Sequence, residues 1–247
     1  MTAGRIRTAL GMGLRTYRRM PVLLALLVVL PAYLLGVFAA VLPNTRVPLR
    51  VPGGDVVSAG MVEVYVALLT PTVAALVAGV AGLFLLRSTA DADARLVIAG
   101  YRAREVVVAR LGLVAVVAVV VTTVALATTT LTPFAPVDPA GLAAATLLGG
   151  LVYGLLGTLA GLLLDRLGGV YAVLFGSMLD MFLFQNPLVA DPSPLAPWLP
   201  GHAPVRLAVD AGFSSGLDPG PLLVGLAYVA VLGVLAQVAF ARLARRI

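Results

Sequence analysis

Residues 61–86 read MVEVYVALLTPTVAALVAGVAGLFLL, and Glu63, close to the start, is their only charged residue. A bilayer core is crossed by about 20 consecutive apolar residues in a helix, so this stretch is long enough to span it. Outward from it, five more apolar runs follow the same rule, giving segments at about 21–42, 61–86, 105–131, 140–164, 168–186 and 220–241. An even number of spans puts both termini on one side. The bulk composition agrees: 61% of residues are hydrophobic and 11% charged, where soluble domains carry about 25% charged residues. The fold class expected is an all-α membrane protein with one six-span domain over residues 21–247. Pro31 and Pro71 fall inside the first two spans, where neighbouring helices re-satisfy the backbone groups that proline frees. The shortest connection, between spans four and five, holds only Asp165, Arg166, Leu167 and a Gly168-Gly169 pair, and reads as a tight turn.

All 17 basic residues are arginine. Fourteen of them fall on one side of the six-span arrangement, leaving Arg46, Arg50 and Arg206 on the other. Positive residues are retained on the cytoplasmic side, so both termini are expected in the cytoplasm of a cell with a multi-pass inner or plasma membrane protein. The net charge of +6 is accounted for by this orientation. No basic stretch is interleaved with aromatics as a nucleic-acid surface would be. The absence of lysine excludes a Walker A loop and a Schiff-base lysine, and the absence of cysteine excludes disulfides and thiolate metal sites. No cofactor is expected on the chain itself.

The first twenty residues project as an amphipathic helix, with Ile6, Leu10, Gly13, Leu14, Tyr17 and Met20 on one side and Arg5, Arg7, Arg15, Arg18 and Arg19 on the other. An interfacial helix fits better than a cleaved signal peptide, whose basic part is shorter and whose apolar core ends in a small-residue cleavage site. Between spans two and three lies RSTADADARLVIAGYRARE, residues 87–105. It reads as a short separate helix: Ser88 and Asp91 suit a capping box, Asp91 and Asp93 suit the positive end of the helix dipole, and Gly100 is placed to end it. The alternative is a solvated loop whose arginines only set topology.

Taken together, these features resemble the ABC-2 type permeases, the transmembrane subunits of ABC exporters. The features are the arginine-rich start, six spans, an acidic and basic segment leading into REVVVARL at 104–111, and a proline-rich outer segment before the last span. The resemblance covers nearly the whole chain and implies the ABC-2, type V exporter-like fold. It implies a connecting helix over residues 1–20 carrying Arg15, Arg18 and Arg19, and a coupling helix over about 89–101. Asp91, Asp93, Arg95, Gly100, Tyr101, Arg102 and Glu105 would then meet the motor. It further implies a second permease half, identical or homologous, and two ATPase subunits that bind the ATP and Mg. The proline-rich segment, about 187–219, resembles the re-entrant cap of such exporters, and its details resemble small drug-export permeases of the fluoroquinolone-exporter type. A drug-like hydrophobic or amphipathic substrate, as in multidrug efflux and antibiotic resistance, would follow. A plain outer loop is the other reading.

Asp180 is the one acidic residue well inside an apolar run, and an intramembrane carboxylate is a functional candidate by default. With Ser177, Gln185 and Asn186 it either lines a translocation path, there attracting a cationic substrate or binding a proton, or sits near the outer interface bonded to another helix or to the outer segment. Gly150, Gly154, Gly157 and Gly161 of span four permit close helix approach, toward the same chain or a partner. GFSSG at 212–216 matches a nucleophile elbow, with His202 and Asp210 nearby. A membrane serine hydrolase using Ser214 is therefore one alternative class, although the pattern needs a strand and a sharp turn before its helix. A non-ABC channel or accessory subunit is another.

Overall fold

A computed structural model of the chain describes residues 21–51, 56–98, 103–189, 192–214 and 218–244, with Gly4, Thr8, Leu10, Gly11, Gly13 and Arg15 before them. Long apolar helices dominate it. In chain order they are α1 (Pro21–Val41), α2 (Met61–Ile98), α3 (Ala103–Thr129), α4 (Pro139–Leu163), α5 (Arg166–Ser177), then α6 (His202–Phe213) within the segment 187–219 expected on the outer face, and α7 (Pro219–Ala244). Six of these stretches are long and apolar enough to cross a membrane, the fifth being α5 together with the π-helical turn Met178–Phe184 that continues it. The chain is thus a helical protein of multi-pass membrane type.

α2 is the central element. Its apolar part is almost wholly buried, whereas α1, α5 and α7 each leave one broad apolar face uncovered, with Val29, Phe175 and Val231 among the exposed residues. Against α2 lies α4, and the two backbones approach closely because both carry glycines at the contact. A Cβ on Gly157 would run into the Gly79 carbonyl, and one on Gly82 into the Gly154 carbonyl. Gly150 faces Ala118 of α3, and Gly161 faces the Leu83 backbone. The span-four glycines therefore serve packing within this chain. Beside Pro71, Thr70 and Thr72 donate to the carbonyls of Val66 and Leu68, keeping the helix bonded on either side of the missing amide.

Two expectations change. The chain is not entirely helical: β1 (Arg46–Arg50) and β2 (Val56–Gly60) form an antiparallel hairpin between spans one and two, with Arg46 opposite Gly60 and Arg50 opposite Val56. Alternation explains it, since Leu49 and Ala59 turn inward onto the bundle while Pro48 and Ser58 do not. Nor does a separate helix start at Ser88. Residues 87–98 continue α2 without a break, because no glycine or proline interrupts them and Ala, Leu and Arg favour helix. Ser88 is therefore interior to a helix rather than at its start. A carboxylate caps the first turn of α2, where Glu63 accepts from the Gly60 amide at 2.9 Å.

The tight turn falls at Leu164 and Asp165, whose side chain accepts from Gly168 N at 3.1 Å and starts α5. Close to that end Arg166 lies over the Phe84 ring, 5.2 Å from its centroid. Gly13 and Leu10 of the N-terminal segment, both helical, pack on Arg110, Gly112 and Leu113 of α3, while Arg15 is exposed. At the opposite end the hairpin, the turn after α3 and the segment around α6 gather together. Asp138 N donates to Ala211 O at 2.8 Å, and the Phe134 and Phe213 rings are 5.8 Å apart. The two groups of connections are those that the alternating spans require.

Candidate functional site: an acidic junction beneath the outer segment

Span five ends in a π turn, in which amides bond five residues back, and such turns are frequent at functional sites. Here Gln185 N donates to Asp180 O at 3.1 Å. That register brings the Gln185 side chain over Asp180, which in an α-helix would point elsewhere. Phe182 anchors the turn to two spans, its ring 6.2 Å from that of Phe38 in α1 and 6.0 Å from that of Tyr65 in α2.

Asp180 is buried and joins three parts of the chain. Its Oδ2 accepts from the Tyr153 hydroxyl of α4 in a short bond, and from Gly201 N at 2.7 Å. Its Oδ1 accepts from Gln185 Nε2 at 3.3 Å. Gln185 Nε2 also donates to Ala196 O at 2.8 Å, and its Oε1 lies 2.9 Å from His202 Nδ1. Gly201 precedes α6, so the carboxylate sits at a helix N-terminus where backbone amides and the dipole favour an anion. A side chain at Gly201 would clash, its Cβ 2.6 Å from Met181 and 2.7 Å from Asp180 Oδ1. The junction fastens span five to span four and to the outer segment at one carboxyl group.

Two cavities adjoin it. A groove of about 300 Å³ between α4 and α5 reaches Asp180 and Tyr153 from the bundle side. A cleft of about 990 Å³ lies between the hairpin and the outer segment, and Gln185 and His202 line it. Burial holds the His202 imidazole below its usual value, and the nearby Arg206 charge pushes the same way against a smaller opposing pull from Asp180. A histidine so depressed binds fewer protons folded than unfolded, so its contribution to stability is present above about pH 6.5 and is lost as pH falls toward the folded value. Acidification from pH 7 to pH 5 is therefore expected to lower the melting temperature of the purified chain, and His202→Gln to flatten part of that dependence.

The other expected site residues separate. Ser177 is fully buried beside the junction, with its hydroxyl donated to Val173 O at 2.8 Å, and it borders neither of these two cavities. Asn186 borders the outer cleft and accepts from Leu188 N at 3.0 Å, shaping the turn. Glu105 is buried within the chain. The side chains of Asp91, Asp93 and Arg95, and Gly100, Tyr101, Arg102, Arg18 and Arg19 entirely, lie outside the described residues. The hydrolase constellation does not assemble. His202 opens α6 and Ser214 follows its last residue, about 18 Å apart at 1.5 Å per residue, and Asp210 accepts from Asp218 N.

Tyr153 and Gly201 were not singled out in the sequence. Their partner is 27 and 21 residues away, and no local pattern marks either. No family model matches this chain, and neither does any curated protein.

Proposed function

We propose that this chain is a permease half of an ABC exporter of the ABC-2 type, working in the inner or plasma membrane with a second half and two ATPase subunits. The observation that carries the reading is the length of α2. Its 38 residues extend about 57 Å at 1.5 Å per residue, whereas the hydrocarbon core is about 30 Å thick. The apolar part ends at Leu85, so a charged helical extension stands beyond the bilayer on the arginine-rich side. The same helix is buried at the centre of the bundle and begins at the hairpin, on the side that the arginine count assigns to the outside. A push on residues 87–98 therefore tilts a lever that runs to the outer end.

On this reading the partner ATPases bind ATP and Mg and carry out hydrolysis, while this chain holds the path and converts their closure into alternating access. With no lysine in the chain there is no Walker A grip on phosphates. The uncovered apolar faces of α1, α5 and α7 suit lipid and the second half.

Reversing the charges of the extension with Asp91→Arg and Arg95→Glu is expected to reduce ATPase co-purification by on the order of tenfold while the melting temperature stays the same. Transport should fall with it. Unchanged ATPase binding and transport in the doubly reversed chain would sink the coupling role.

A further inference from the structure

The groove between α4 and α5 is built for a ligand that arrives from the lipid. Leu156, Ala160 and Val173 form apolar walls, and Gly176 leaves room, since a Cβ there meets nothing within 4 Å. Ala172 and Gly176 are exposed, so the groove opens sideways along span five. It ends on Asp180 and Tyr153, which among the described residues are its only titratable lining groups, and no described basic residue lines it. Asp180 retains acceptor capacity, because among the described residues its Oδ1 takes the 3.3 Å bond from Gln185 and no other, and a carboxylate oxygen has room for two donors.

The geometry points to a binding site for a lipophilic monocation, its apolar body in the groove and its charged head at Asp180. An anion would meet a buried carboxylate, with no counter-charge among the groove's described lining residues, in a medium of low dielectric. The outer side as a whole agrees, with seven of the eleven carboxyl groups against three arginines, a field that draws cations. Such a volume, about 300 Å³, is at the lower end of small-molecule sites. As the class of transported substrate this inference rests on the export reading; as a binding site it is tested without the motor.

The purified chain in phosphatidylcholine nanodiscs is titrated with tetraphenylphosphonium, with triphenylphosphine oxide as the neutral competitor. The expected result is one saturable site per chain, weakened about tenfold by Asp180→Asn and by Gly176→Leu, and not displaced by the oxide. Gly176→Leu adds bulk at the groove's edge and removes none of the partners of Asp180, so it decides the matter even where Asp180→Asn fails to fold. Wild-type binding in Gly176→Leu, or equal displacement by the oxide, overturns the site. A chain that keeps its ATPase but not the cation retains the export reading and loses this one. A chain that binds the cation but no ATPase does the reverse.

Discussion

Gly157→Ala is expected to cost about 3 kcal/mol or more and to deplete the folded chain from detergent extracts, a large effect for one methyl group. The added Cβ would overlap the Gly79 carbonyl and lie 2.7 Å from its carbon. Backbone cannot rotate away as a side chain does. Relief requires α2 and α4 to separate, and with them the contacts that Gly82, Gly154 and Gly161 make along the same line. Gly233→Ala on α7 is the matched control, because a Cβ there meets nothing within 4 Å; it should be neutral or stabilise by up to about 1 kcal/mol through helix propensity. Thermal melting monitored by size-exclusion chromatography distinguishes the two. Similar melting temperatures for both variants would contradict the close approach of α2 and α4.

The second large effect is expected at the outer junction. Asp180→Ala leaves the Tyr153 hydroxyl and the Gly201 amide without their acceptor, and orphaned buried donors cost about 1–3 kcal/mol each. The loss falls on the attachment of the outer segment. Amide hydrogen exchange over α6 should therefore accelerate by about a hundredfold, with α4 changing much less. Tyr153→Phe removes one donor and keeps the ring, so its effect should be smaller and in the same direction. Exchange over α6 that is unchanged in Asp180→Ala would show that other contacts, such as Tyr228 to the Trp198 carbonyl, hold the segment by themselves.

The spans were legible because burial in lipid is a property of composition: a run of apolar residues about 20 long has no other good solvent. The hairpin was not, because its two strands are five residues each and lie in a loop that the apolar runs overshadow. Val47 and Leu49 before Pro52-Gly53-Gly54-Asp55, and Val57 and Ala59 after it, carried the signal at period two. The reading of residues 89–101 as a separate helix gave too much weight to Ser88 and Asp91. A cap residue ends nothing unless the residues before it stop being helical, and Leu83 to Arg87 have every reason to continue. The glycine spacing in span four identified a close contact but not its partner, since spacing describes one surface and the other belongs to Gly79 and Gly82.

Asp180 illustrates the same boundary at the site. Its cost in an apolar span is visible from one residue, which made it a candidate. What it does depends on Tyr153, Gly201 and Gln185, and two of these arrive through tertiary contact and the third through a π turn that no local pattern predicts. Of the two readings open for it, the hydrogen bonds are those of a carboxylate tied to another helix and to the outer segment. The groove that reaches it from the bundle side is where a ligand would share that tie.

The export reading is tested most directly by purifying the intact chain from its native membrane under mild detergent and assaying the complex for nucleotide hydrolysis. The expected result is a co-purifying ATPase in equal number to the permease halves, with hydrolysis lost when the extension of α2 carries Asp91→Arg and Arg95→Glu. A chain that purifies without an ATPase and conducts ions in a bilayer with no nucleotide present would contradict it.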